Sequence, residues 1–202
     1  MAGADNTAKR WNHNTYYDRL VLSAMPKGAG TALDIGTGGG LLAHALRESI
    51  PDVTGIDIDS NVLARAREQC SDITWLIGDV MQLALPESHF DLVASIATVH
   101  HLPDLTATLN RLAALTVPGG VLVVIGCARS STLSDYTIDL LGAVQHRALP
   151  RKYGYWQHSA PVEMQFPHTY AEARRIARAT LPGSEWRRLP LFRYALVWRR
   201  PA

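Results

Sequence analysis

A chain of 202 residues with 47 % apolar and 19 % charged side chains is long enough for one domain with a sizeable core, and this composition excludes a disordered polymer. A net charge of +2 excludes the strong field of a dedicated nucleic-acid binder; the late basic clusters "RALPRK", "ARRIARATLPGSEWRR" and "WRRP" read either as a solvated face or as contacts for an acidic substrate. Two distant cysteines, Cys70 and Cys127, argue against a disulfide framework or a metal site, and the absence of a signal-peptide core or a spanning apolar run sets the expectation of a cytoplasmic chain without membrane contact.

The aromatic-rich "WNHNTYYDRLV" (11–21) precedes the first strand. "TALDI" (31–35) is an uninterrupted apolar run around one acid, as expected of a strand buried on both faces. A glycine-rich turn follows, and "GLLAHALRES" (40–49) has helical spacing. "VTGIDI" (53–58) is a second strand, and Ser60 is placed to cap a helix over 61–70. "ITWLIG" (73–78) and "HFDLVASIA" (89–97) are the third and fourth strands. The helical "LTATLNRLAALT" (105–116) is expected to stop at "PGG", ahead of a fifth strand, "VLVVIGCA" (121–128). Residues 129–167 show no clean period. "TYAEARRIARATLPG" (169–183) is helical, and "EWRRL" (185–189) and "LFRYALVWR" (191–199) flank Pro190 as a tight antiparallel pair at one edge.

Strands and helices in alternation predict an α/β fold, a parallel sheet with helices on both faces. Such sheets bind ligands beyond the carboxyl ends of their strands. The turn after the first strand has the spacing Asp34-x-Gly36-x-Gly38-x-Gly40. It lacks the third glycine of a dinucleotide fingerprint, where Leu41 stands, and it lacks the Lys-Ser/Thr of a P-loop. Asp34 would repel a phosphate and suits an ammonium group. Asp57, ending the second strand, is placed to accept from a ribose diol, with Asp59 as the alternative. Asp79, after the third strand, is placed to accept from the exocyclic amine of an adenine. An amino-acid head, a ribose and a base in that order describe S-adenosylmethionine.

"LDIGTGGG", "VTGIDID", "IGDVMQL", "FDLVASIATVHHLPD" and "PGGVLVVIG" resemble, in order, the motifs of the class I S-adenosylmethionine-dependent methyltransferases. The likeness is closest to the small-molecule type related to ubiquinone/menaquinone-biosynthesis methyltransferases and covers roughly residues 10–128. It implies a doubly wound, Rossmann-like three-layer sandwich with a seven-stranded sheet in order 3-2-1-4-5-7-6, strand 7 antiparallel. It also implies that Asp34, Gly36, Thr37 and Gly38 line the methionine end, Asp57 and Ile58 the ribose, and Asp79 and Val80 the adenine; Ile96, near the end of the fourth strand, is counted with them. In relatives the N-terminal segment lids the cofactor. Tyr17 then either reaches the methionine end or packs the lid down, and Trp11, Asn14 and Tyr16 share that segment.

Methyl transfer needs alignment, exclusion of water and, for an acceptor with a proton to lose, a base. His100, the first of "HH" after the fourth strand, is the candidate base; His101 is expected to pack or bond locally. No carboxylate stands in "GCARSS" after the fifth strand, so a His–acid dyad lacks its second member there. Asp91 is expected to be structural, and His44 has no partner at metal-ligand spacing. Tyr136, Tyr153, Tyr155 and Trp156 are candidates to wall an acceptor pocket, with Arg147, Arg151 or Lys152 against an acidic group. The expected organisation is one domain over 1–202: an N-terminal lid (1–30), a cofactor core (31–128), a pocket region (129–183) and a C-terminal strand pair (184–202). The expected activity is methyl transfer from S-adenosylmethionine to O, N or C of a small molecule, without metal or nucleic acid. A non-catalytic cofactor-binding protein and a nicotinamide-dependent oxidoreductase are the alternatives.

Overall fold

The computed structural model describes residues 15–153 and 166–202, with 148–153 as helical backbone only. Trp11, Asn14, Tyr155 and Trp156 lie outside the described residues, as do the side chains of Arg151, Lys152 and Tyr153.

Seven strands form one sheet: β1 (Thr31–Ile35), β2 (Asp52–Asp57), β3 (Thr74–Ile77), β4 (Phe90–Ile96), β5 (Thr116–Gly126), β6 (Glu185–Leu189) and β7 (Arg193–Arg199). Their order is β3-β2-β1-β4-β5-β7-β6. The first five run parallel, and β7 is antiparallel to both β5 and β6. The sheet separates two cores because successive side chains point to opposite faces. Ala32, Leu92, Ala94, Val121 and Val123 meet α1 (Asp18–Ala24), α2 (Leu41–Arg47) and α3 (Ser60–Gln69) on one face. Leu33, Ile35, Val93, Leu122 and Val124 meet α4 (Leu105–Leu115) and α6 (Tyr170–Thr180) on the other. Asp91 accepts from the N–H groups of Gly30 and Thr31 and from the Thr31 hydroxyl, tying β4 to the start of β1, away from the carboxyl ends.

Three local expectations are corrected. The cap of α3 is Asp59, whose carboxylate accepts from the N–H groups of Asn61 and Val62; Ser60 is the first helical residue. "PGG" does not stop α4, which ends at Leu115, and β5 begins at once. Thr116 pairs with Phe90 and Val121 with Leu92, so residues 117–120 loop out of that ladder. There the N–H of Gly119 donates to Arg200 O, and the N–H of Arg200 to Gly120 O. The Arg200 guanidinium donates to the carbonyls of Ala113, Ala114 and Thr116, at the end of α4.

The third correction is α5 (Leu133–Tyr153), a 21-residue helix in the stretch without a clean period. Its inner face is polar. Asp135 caps it by accepting from the N–H groups of Ser131 and Thr132, and Asp139 binds the guanidinium of Arg188 from β6. Gly142 lets the helix lie against the β6–β7 turn, where a Cβ would come within 2.8 Å of Leu191 N. Leu133, Tyr136, Leu140, Leu141 and Val144 are all exposed. The β6–β7 turn itself carries Leu191 and Phe192 at φ 53° and 61°, a left-handed pair that non-glycine residues seldom adopt.

Candidate functional site

The carboxyl ends of β1, β2, β3 and β4 converge on the glycine turn. Alternation puts Asp34 on the α1/α2 face, 2 % exposed. Its Oδ2 accepts from the Thr37 hydroxyl at 2.6 Å. Burial, above all, pushes the Asp34 carboxyl up to about 7; the bonds from Thr37 and Ala43 oppose the shift, and Asp57 adds to it. The turn is fixed by the N–H groups of Gly36 and Thr37, which both donate to Ile56 O at 2.8 and 2.9 Å. Gly36 has φ +69°, and Thr98, just past β4, occupies the space where its Cβ would stand. Gly40, at φ +76°, starts α2 against the ring of Trp75. The glycines thus answer partly to protein atoms: they let β4 and β3 close upon the turn.

Asp57 ends β2. Its Oδ2 accepts from the N–H of Gly38 at 2.8 Å and its Oδ1 from that of Asp59 at 3.0 Å. Each carboxylate oxygen keeps a further lone pair for a ligand hydroxyl. Asp59 is engaged as the α3 cap. Ile58, next to Asp57, is 77 % exposed, an apolar side chain standing in the open at a strand end. Asp79 follows β3, its Oδ1 accepting from Met81 N at 2.9 Å and its Oδ2 from Gln82 Nε2 at 3.2 Å. The side chains of Val80 and Ile96 are buried, one in each core.

The segment before β1 is a 3-10 turn, Thr15–Tyr17, followed by α1. Tyr17 is buried, and its hydroxyl donates to Pro190 O at 2.6 Å. That bond pins the start of α1 to the β6–β7 turn, which favours the packing role for Tyr17. Asp18, not singled out from the sequence, is brought near Asp34. Burial and then the charge of Asp34 push its carboxyl up to about 7. The available signal was an acid among the aromatic and apolar residues of "TYYDRLV".

His100 lies in a 3-10 turn, Val99–His101, directly after β4. Its ring is 4.1 Å from that of His101 and meets Phe166 edge-on at 5.1 Å. Nδ1 of His100 is buried and has no hydrogen-bond partner among the described residues. Burial first, then His101 and Arg193, push the ring down to about 3. The imidazole is therefore neutral throughout the physiological range, and among the described residues no carboxylate acts on it. His101 is exposed. Burial pushes the Cys127 thiol up, and Arg193, at the head of β7, acts against that rise. Arg188 is different: it holds Asp139, donates to the carbonyl of Arg193 at 2.8 Å and stacks 3.6 Å over the Tyr170 ring. Arg147 and Tyr136 point to solvent from α5.

A family model described as "Methyltransferase domain" matches residues 33–124. An uncharacterized methyltransferase of Mycobacterium tuberculosis is 41 % identical over 193 residues, 95 % of this chain and 98 % of that one. A ubiquinone biosynthesis O-methyltransferase of Methylococcus capsulatus is 32 % identical over 117 residues, 55 % of this chain and 48 % of that one. Among solved structures, an S-adenosylmethionine-dependent methyltransferase from Mesorhizobium loti aligns with TM-score 0.63 at 18 % identity, over 90 % of this chain and 96 % of that one. A phosphoethanolamine N-methyltransferase of Haemonchus contortus, bound to phosphomonomethylethanolamine and S-adenosylhomocysteine, aligns with TM-score 0.66 at 16 % identity, over 93 % of this chain and 53 % of that one.

Proposed function

The chain belongs to the class I S-adenosylmethionine-dependent methyltransferases, and on that premise we propose that it methylates O, N or C of a small-molecule acceptor seated over the ends of β4 and β5. The observation that carries this reading is the row of carboxylates at successive strand ends, Asp34, Asp57 and Asp79, around one glycine turn. S-adenosylmethionine supplies a methyl group already made electrophilic by its sulfonium.

The residues fit that cofactor. Asp34 and Asp18 present two carboxyls to its ammonium group. Asp57 accepts from the ribose diol and keeps the turn in shape through Gly38. Ile58, beside Asp57, offers an apolar face at the ribose, and Asp79 accepts from the amine of the adenine. Gly36, Thr37 and Gly38 bring main chain close to the methionine end. Val80 and Ile96 support the site from the cores. His100 and Arg193 border the acceptor side. His100, neutral and with no carboxylate behind it among the described residues, orients the acceptor by hydrogen bonding more than it drives proton removal. The Haemonchus neighbour, with a small phosphorylated amine and S-adenosylhomocysteine, supports a small-molecule acceptor.

Calorimetry with S-adenosylhomocysteine and NAD, followed by methyl transfer from labelled S-adenosylmethionine to an acceptor panel, tests the proposal. Binding of the first ligand alone and label in a small product are expected; preference for NAD would overturn it.

A further inference from the structure

α5 is built inside out. Asp135, Asp139 and Gly142 face the body of the protein, where they meet the N–H groups of Ser131 and Thr132, the guanidinium of Arg188 and the backbone of Leu191. Leu133, Tyr136, Leu140, Leu141 and Val144 face away and are between 58 and 88 % exposed. Five of the eight large apolar side chains that the described residues leave exposed therefore sit on one helix. Single apolar residues are normal on a surface, whereas a contiguous set along one face marks a contact.

The spacing says what kind of contact. Leu133, Tyr136, Leu140, Ala143 and Arg147 recur at alternating steps of three and four, the seam along which one helix receives another. Thr137 and Val144 flank the seam, and the Thr137 hydroxyl is already satisfied by Leu133 O at 2.9 Å. The stripe is its own complement. With a two-fold axis at Leu140 and two copies running antiparallel, Leu140 meets Leu140, Tyr136 meets Val144, Thr137 meets Ala143, and Leu133 meets the stem of Arg147. The helix dipoles then oppose each other, and the two Arg147 guanidiniums stand about 21 Å apart, beyond the reach of their repulsion at ordinary salt.

Other occupants fit less well. The first fourteen residues bring only Met1 and Trp11 as large apolar side chains, too few to cover this face. A lipid surface rewards Lys and Arg along the borders of an apolar face, and residues 133–145 contain neither, but hold Asp135 and Asp139. Side chains of this size carry roughly 60–120 Å² of buriable apolar area each. Two such faces supply on the order of 600–1,200 Å², which with a polar rim reaches the size at which specific interfaces begin. We propose that α5 is a dimerisation helix: two copies of this chain pair antiparallel through Leu133, Tyr136, Leu140 and Val144, with Leu141 at the edge and the axis at Leu140. The pairing does not depend on the methyl-transfer chemistry.

Sedimentation of the whole protein over a range of concentrations tests it. An interface of this size supports a dissociation constant on the order of micromolar, so the unmodified protein should have twice the mass of one chain at about 100 µM and come apart on dilution. Leu140→Glu sets two carboxylates against each other at the axis; it should leave the mass of one chain at every concentration and change the dissociation constant of S-adenosylhomocysteine less than about twofold. Leu140→Cys should form a disulfide between copies under mild oxidation, whereas Leu133→Cys, about 21 Å from its counterpart, should not. The unmodified protein, with Cys70 and Cys127 alone, is the control. The mass of one chain for the unmodified protein at about 100 µM, a dimer that survives Leu140→Glu, or cross-linking through Leu133→Cys instead of Leu140→Cys would overturn the proposal. So would a monomer that sediments with vesicles of phosphatidylcholine and phosphatidylglycerol, which would give the face to lipid. If Leu140→Glu does not fold, the two cysteine variants decide.

Discussion

The N–H of Gly38 donates to Oδ2 of Asp57 at 2.8 Å, so the glycine turn after β1 and the carboxylate ending β2 are one unit. Asp57→Ala removes the turn's anchor and the ribose acceptor together. Affinity for S-adenosylhomocysteine should fall by about 2–4 kcal/mol, the usual size of one or two charge-assisted bonds. Calorimetry reads this directly. An unchanged dissociation constant would mean that the ribose is held elsewhere.

Asp34 and Asp18 bear on pH. Both carboxyls stand near 7, and an ammonium beside them favours their ionised forms. Binding of S-adenosylhomocysteine should therefore release protons and tighten as pH rises from about 5.5 to about 7.5, then level off. The sign for the free protein is opposite. A carboxyl raised on folding contributes stability that is full below its unfolded value and is lost as pH climbs through about 7, so the ligand-free melting temperature should drop across that window. Asp34→Asn should flatten both dependences and weaken binding at pH 8. Isotherms and melts in a pH series check this; affinity that ignores pH would remove the ammonium from this place.

His100 should leave no mark on the pH–rate profile near 6.5, because its ring stands near 3 in the free protein. kcat/KM for an acceptor should show no histidine limb between pH 5 and 8. His100→Ala should lower kcat by roughly tenfold, less than the 10²–10⁴ of a full general base. A wild-type limb near 6–7 that disappears in the variant would reinstate the base.

Arg188 joins β6 to α5 with a side chain 11 % exposed. Arg188→Leu takes the guanidinium from Asp139, whose other oxygen keeps the Ser130 hydroxyl, and removes the stack on Tyr170. Denaturant titration should show a loss of about 3 kcal/mol, the lower end of the range for a buried pair that loses one partner. Tyr17→Phe removes only the bond to Pro190 O and should cost about 1 kcal/mol. Equal small effects would mean that α5 is held mainly by other contacts.

Strands such as β1 and β6 were legible to the residue, since a buried strand is a short run bounded by turn-forming residues. The carboxylates at the strand ends were legible for the same reason: a glycine turn after a strand marks where a parallel sheet opens. α5 was hidden because its pattern is inverted. Its apolar residues Leu133, Leu140 and Val144 face out, while Asp135 and Asp139 face in toward Arg188. The rule that apolar periodicity marks the inner face fails on such a helix. "PGG" read as a stop because local chemistry said so; the pairing with Arg200, some eighty residues on, made it strand-like. Asp18, Phe166 and Arg193 escaped notice for a common reason: each acquires its place only when distant segments meet.

Arg200 gives the tail of the chain an influence out of proportion to its size. Its guanidinium closes off the carbonyls that α4 leaves open, and its main chain extends the sheet past Gly119 and Gly120. An affinity tag joined after the exposed Ala202 would leave these bonds alone. A shortened version ending at Trp198 would not: the far end of α4 would fray, and the loosening would pass along that helix to the "HH" turn that precedes it.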